Sequence, residues 1–391
     1  MQQNIWFTPD GIEDLLPEEA KKLEYYRRQL LDGFESSGYD LVLPPIAEYT
    51  DSLLTGTARH LATDTCRFPD QESGRMMGVR ADMTPQVARI AVNRLKNKGQ
   101  ITRLCYVGEV LKTRNNKAKG SRSPIQVGAE LFGHQGVESD IEVIALMLSS
   151  IRALGLNDLT LSLGHVSVVE ELMRLAQLNK KQTQQLVDIL MRKSVPEYNE
   201  FVASLSLNGS LKTAFESLLS LCGDADEALT KAQTVLTGLS AEMDECIERL
   251  KQVMSYFQAA SKLQGIHLDL ADLRGFQYHT GIIFGCYAAG QKLYMIAKGG
   301  RYDEIGSDFG SAQPATGFSL DLRSTLDLLA CPPTPEKKVI YAPIEADPEL
   351  VQEILNLKKS AVVKRYYELS EVPTGSEYLS KQNDIWQCVQ K

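Results

Sequence analysis

The chain of 391 residues is poor in cysteine (seven) and tryptophan (two). The cysteines, Cys66, Cys105, Cys222, Cys246, Cys286, Cys331 and Cys388, are odd in number, widely spaced and never form a CxxC. That spacing suits neither a zinc site nor a disulfide framework, and it fits reduced thiols in a reducing compartment. No apolar run reaches membrane-spanning length, and the opening MQQNIWFTPDGIEDLLPEEAKK lacks a basic segment followed by an apolar one. The expectation is a soluble cytoplasmic protein with no membrane partner. P-loop, GxGxxG, HExxH, GxSxG and EF-hand patterns are all missing, and the five histidines are scattered, so no cofactor, metal site or hydrolase triad is expected. A formal net charge of -8 argues against a surface given over to nucleic acid, although a local basic patch remains compatible with it.

What is present points to a folded chain of two or three domains, 43% hydrophobic and 24% charged. After Pro17, with Glu18 and Glu19 at the positive end of a helix dipole, Leu23, Tyr26, Leu30 and Phe34 recur at helical spacing up to Gly38. YDLVLPPIAEY (39–49) is a short β-like run stopped by Pro44 and Pro45, suited to a sheet edge or an interface. Ile101 to Leu111 and Ile125 to Phe132 read as a hairpin. In its second strand Ile125, Val127, Ala129 and Leu131 alternate with Gln126, Gly128 and Glu130. One face then offers an amide and a carboxylate roughly 13 Å apart, with a glycine hollow between them.

Helical character, without notable strand alternation, runs from about 167 to 262 and reads as an insertion. Strands return at 266–273, 281–287 and 293–298, and Phe318, Leu322, Leu326 and Leu329 suggest a last core helix. CPPTPEKK is the clearest linker, dividing a core of residues 1–330 from a small α/β unit at 331–391.

Three stretches combine polar and glycine residues in ways a packed core does not require. In VRADMTPQVAR (79–89), Arg80, Asp82 and Thr84 alternate along what reads as an extended segment. The hairpin loop GEVLKTRNNKAKGSRSP carries Lys112, Arg114, Lys117, Lys119 and Arg122 within eleven residues that contain no acid. LRGFQYHTG (273–281) and GGRYDEIG (299–306) place an Arg-Gly, aromatics and a Gly-Gly-Arg-Tyr-Asp turn around a hairpin. Taken singly, each is compatible with a solvated edge, an exposed loop or ordinary turn chemistry.

The order and spacing of these stretches resemble the catalytic core of histidyl-tRNA synthetases, over residues 1 to about 330. The resemblance implies an α+β, class II synthetase-like antiparallel sheet flanked by helices, with the first signature at GYDLVLPPIAEY, the second along 103–133 and the third at TGFSLDLRSTLDLL (316–329). It also implies that the residues surrounding bound histidine correspond to Asp82, Thr84, Gln126, Glu130, Arg274, Tyr278 and His279. Asp82 stands where that family has a glutamate, and His279 where it has a tyrosine.

The nucleotide half departs from the pattern. Adenylate formation uses cations around the phosphates, so arginines carry the chemistry. Lys112 replaces the phosphate-gripping arginine and cannot make its two-pronged contact. Arg114 replaces a glutamate that meets adenine, Gly120 falls at a loop arginine, and Ser324 falls at the γ-phosphate arginine. This pattern resembles the paralogous family of ATP phosphoribosyltransferase regulatory subunits. That likeness implies a non-catalytic subunit, dimeric through the first signature, assembled with a short catalytic subunit and responsive to L-histidine, with no tRNA expected. A working histidyl-tRNA synthetase, or a sensor or RNA-binding protein on the same fold, are the alternative readings.

Overall fold

Proline at the first position and Glu18 and Glu19 in the first turn start the helix Pro17–Ser36, where the Glu19 carboxylate accepts from the Leu16 N–H at 3.2 Å. Its buried residues are Leu23, Tyr26, Leu30 and Phe34, and it stops where Gly38 takes φ +81°. The computed structural model describes residues 8–95, 100–114, 121–260, 262–276, 278–289, 293–305, 312–333 and 337–391, in two units divided between Ala330 and Cys331.

In the first unit the chain forms β1 (Asp40–Leu41), β2 (Ala47–Tyr49), β3 (Arg67–Pro69) and β4 (Met76–Val79). It continues with β5 (Thr102–Glu109), β6 (Ile125–Phe132), β7 (Leu159–His165) and β8 (Cys222–Asp224). β9 (Gly265–Asp269), β10 (Ile282–Ala288), β11 (Tyr294–Arg301) and β12 (Ala315–Asp321) complete it. Strands β2, β4 and β3 make a small sheet in that order. The large sheet has nine strands in the order β1-β5-β6-β12-β11-β10-β7-β9-β8. It is antiparallel except where β1 meets β5 and β7 meets β9. The helix Pro17–Ser36 and the helix Val137–Ala153 cover one face, and Phe34 lies edge-on to Phe318 at 6.0 Å.

Three expectations need correction. Residues 79–89 are not extended, because a helix, Thr84–Asn93, begins inside them. Asp82 Oδ1 accepts the Thr84 N–H at 2.9 Å and Pro85 fits the first turn, a start signal that outweighs the apparent alternation. Phe318 lies on β12, in the middle of the sheet, and not on a helix. A short helix, Leu322–Thr325, starts only after Asp321, whose side chain accepts the Arg323 N–H. Finally, the largely helical stretch from 167 to 262 contains β8, which pairs with β9 at the sheet's far edge.

The second unit is a four-stranded sheet, β13 (Val339–Pro343), β14 (Val362–Tyr366), β15 (Glu377–Gln382) and β16 (Ile385–Gln390), in the order β14-β13-β15-β16. The helix Pro348–Leu357 crosses from β13 to its parallel neighbour β14 and packs Leu350 and Ile354 on Ile340, Leu379 and Trp386. Asp347 caps that helix and also accepts from Lys381 Nζ at 2.8 Å and Trp386 Nε1 at 2.9 Å. Asn383 and Asp384, at φ 49° and 63°, make the two-residue β15–β16 turn.

Candidate functional site

Strand period puts Gln126, Gly128 and Glu130 on one face of β6, and the pairing sets what surrounds them. Glu130 lies opposite Leu104 on β5 and Gly317 on β12, and Gly128 opposite Tyr106 and Ser319. The glycine hollow is therefore not open. A Cβ at Gly128 would overlap the Tyr106 hydroxyl, which passes over the glycine and donates to Glu130 Oε1 at 2.9 Å.

Glu130 is 1% exposed and receives three hydroxyls: Thr84 at 2.9 Å and Tyr106 on Oε1, and Tyr302 on Oε2. Burial pushes its carboxyl up to about 8, against the pull of the hydrogen bonds from Tyr302, Tyr106 and Thr84, with the nearby charge of Asp82 adding to the rise. A Cβ at Gly317 would overlap Glu130 Oε2, so only glycine fits beneath the carboxyl. Gly317→Ala should therefore lower stability by about 1–3 kcal/mol, read as a fall in melting temperature.

Gln126 braces the turn ahead of Thr84. It accepts from the Met83 N–H at 2.9 Å and donates to Asp82 Oδ1 at 3.0 Å and Ser319 Oγ at 3.2 Å. It does not line the cavity beside Glu130, whereas Asp82, Thr84, Glu130, Arg274, Tyr278 and His279 do. Tyr278 stacks on Tyr302 at 5.2 Å between centroids, and His279 stands edge-on to Tyr278 at 5.0 Å. Gly275, at φ +73°, lets the chain turn under the His279 ring, where any Cβ would overlap it. The cavity holds about 140 Å³, close to the ~150 Å³ that admits one benzene ring. It is lined by two acids, Asp82 and Glu130, and two cations, Arg274 and Lys298, among the described residues. Such a lining suits a small zwitterion carrying a flat ring.

Arg274 is turned to one side of this cavity. Its guanidinium pairs with Asp272 and bonds the Tyr287 hydroxyl at 3.2 Å and Ser162 Oγ at 3.4 Å. The Gly-Gly-Arg of GGRYD is not a turn but the end of β11, paired with β10 and β12, and Arg301 and Tyr302 therefore face opposite ways. Tyr302 reaches Glu130, while Arg301 is buried against Asp140 at 3.0 Å and Ser139 Oγ at 2.7 Å, where it ties the start of the helix Val137–Ala153 to β11. Tyr106, Lys298, Tyr302 and Ser319 were not named as site residues from the sequence. The β5–β6 register, which sets Tyr106 opposite Gly128, is the signal that could have found the first.

The residues at the nucleotide positions stay apart from this cavity. The Lys112 N–H donates to the Arg122 carbonyl at 2.8 Å, and Arg122 Nε donates to the Lys112 carbonyl at 3.0 Å. Arg114 lies 3.7 Å from Asp64 and is largely exposed. Ser324 Oγ donates to the Asp321 carbonyl at 3.1 Å, within its own turn. Arg323 donates to the Glu13 carbonyl at 2.8 Å. Gly120, Lys117 and Lys119 lie outside the described residues. Among the described residues no cluster of three or more His, Cys, Asp or Glu could hold a metal ion, and no helix is long and apolar enough to cross a membrane.

The nine-stranded sheet with its acid-lined cavity is that of a histidyl-tRNA synthetase-like protein, because residues 11–325, which carry it, match the family described as histidyl-tRNA synthetase. A Bacillus halodurans structure described as an ATP phosphoribosyltransferase regulatory subunit/histidyl-tRNA synthetase superposes with a TM-score of 0.79, at 26% identity over 95% of each chain. A Nostoc histidyl-tRNA synthetase shares the fold, with a TM-score of 0.71 at 20% identity over 93% of this chain and 86% of that one. The ATP phosphoribosyltransferase regulatory subunit of Hydrogenovibrio crunogenus is 67% identical over 99% of both chains. That of Thioalkalivibrio sulfidiphilus is 44% identical over 91% of this chain and 89% of its own. The chain belongs to the family of ATP phosphoribosyltransferase regulatory subunits.

Proposed function

We propose that the chain is a non-catalytic partner of a short ATP phosphoribosyltransferase catalytic subunit in the first step of histidine biosynthesis, and that L-histidine is its effector. The reading is supported above all by the contrast between the two halves of the site. An acidic, aromatic cavity is formed around Glu130, whereas Lys112, Arg114 and Ser324 do not line it: the Lys112 backbone pairs with Arg122, Arg114 lies beside Asp64 and Ser324 bonds within its own turn. Histidine's ammonium meets Asp82 and Glu130, and its ring lies among Tyr278, His279 and Tyr302. With no arginine fork at the phosphate positions, the chain forms no adenylate and charges no tRNA. Feedback then requires histidine to favour one state of the assembly over another.

The proposed self-association uses the edge strand β1 and its surroundings, where Leu41, Leu43 and Ile46 are exposed apolar residues. The assembly works in the cytoplasm. Co-purification with the short catalytic subunit tests the reading, followed by phosphoribosyl transfer measured with and without histidine. The expected result is a stable complex whose activity histidine lowers. Histidine-dependent exchange of pyrophosphate with ATP by this chain alone would sink the reading in favour of a working synthetase.

A further inference from the structure

Arg274 belongs to two cavities. One is the 140 Å³ cavity beside Glu130, and the other is a cleft of about 440 Å³ between the strands β7, β9 and β10 and the end of the helix Lys180–Arg192. Leu190, Met191 and Lys193 supply the helical wall of that cleft, and His267 and Asp269 the β9 wall. Lys193 is held on Asp269 at 2.6 Å. Besides a contact of 3.6 Å with Met295 Sδ, the Arg274 guanidinium bonds Asp272, Tyr287 and Ser162, and these three line the cleft. Asp272 itself is 7% exposed, so it depends on this cation for compensation.

We infer that Asp272 competes with the carboxylate of a bound amino acid for Arg274, and so both sets effector affinity and reports occupancy of the pocket to the cleft. The inference rests on the reading of the pocket as a histidine site. A ligand carboxylate entering beside Glu130 draws the guanidinium across the shared wall. The bonds to Tyr287 and Ser162 then open, and Asp272 faces the cleft without its partner. Histidine is held less tightly than the pocket alone would allow, and the difference is transmitted to the helical wall at Leu190 to Lys193. Asp272 acts through Arg274 and is a positioning residue.

The substitution Asp272→Asn isolates the effect, because an amide oxygen can still accept the Arg274 backbone N–H, now bonded at 2.9 Å, while its NH2 cannot hold the guanidinium. Calorimetry on the full chain with L-histidine and with histamine, which has the ring and amine but no carboxylate, reads the outcome. Asp272→Asn should tighten histidine by roughly three- to tenfold and leave histamine within about twofold. Tyr287→Phe, which removes a weaker anchor and keeps the packing, should shift histidine in the same direction by a smaller factor and covers a failure of the first variant to fold. Histidine, and not histamine, should raise amide exchange at Leu190 to Lys193.

Unchanged histidine affinity in both variants, or equal gains for histidine and histamine, would overturn the proposal while leaving the pocket reading intact. Histidine binding to the unsubstituted protein with no change in exchange at Leu190 to Lys193 would remove its relay to the cleft. If the unsubstituted protein binds neither molecule, the pocket reading falls and this proposal falls with it.

Discussion

Asp82→Ala and Glu130→Ala together should weaken L-histidine binding at least about tenfold at neutral pH, since two charge-assisted contacts of about 1.5–3 kcal/mol each are removed at once, less about 1.4 kcal/mol for taking the proton off Glu130 one pH unit below its value of about 8. The double variant is the informative one, because both carboxylates line the same small cavity and either could in part serve an incoming ammonium. Glu130→Ala also leaves the Thr84, Tyr106 and Tyr302 hydroxyls without their acceptor, so the variant must be shown to be folded by its melting transition. Asp82→Asn with Glu130→Gln keeps the volume and should lose affinity by a similar factor. An unchanged dissociation constant by calorimetry would move the effector site elsewhere.

The second large effect is on stability against pH. Glu130 is raised from 4.5 to about 8 in the folded chain, chiefly by burial. Between those values the folded state holds a proton that the unfolded state has released. Stability therefore falls as pH rises through that window, by up to about 1.4 kcal/mol per pH unit from this one group. Subtracting the profile of Glu130→Gln isolates the contribution: the unsubstituted protein should melt progressively lower than the variant from pH 4.5 to about 8, and in parallel with it above. A difference that is flat across the window would show that the three hydroxyls hold the carboxylate charged throughout. Binding a cation beside Glu130 lowers its pKa, so histidine should release protons below about pH 8, measurable as heats that depend on the buffer's ionisation.

The readable parts of the chain are those whose signal is local. The helix Pro17–Ser36 has its start, its stripe and its stop between Pro17 and Gly38, and β6 runs from Ile125 to Phe132 as its alternation indicates. Where two local signals compete, alternation is a poor guide. Asp82 and Thr84 look extended, yet the carboxylate, Thr84 and Pro85 start a helix. Phe318 falls in step with Leu322 at helical spacing only because a strand ends and a helix begins between them.

The site shows the same division. Glu130 and Gln126 could be placed on one face from β6 alone, but their different roles could not. One is enclosed by hydroxyls from β5, from the residue after β11 and from the helix Thr84–Asn93, and the other braces a turn. Tyr106 was missed because its position over Gly128 depends on register between strands. The pairing of Arg274 with Asp272 is close in sequence, yet its direction away from Glu130 is settled by Ser162 and Tyr287, contributed by β7 and β10.

The parallel pairing of β7 with β9 joins Leu159–His165 to Gly265–Asp269 across the whole helical stretch. During synthesis β7 waits for about a hundred further residues to emerge before its neighbour exists, and closing so long a loop is slow. β10, which covers the other edge of β7, comes later still. Both edges of an apolar strand are thus open in the nascent chain while β5 and β6 have already paired, so the half-made sheet is the species most exposed to aggregation and to chaperone capture.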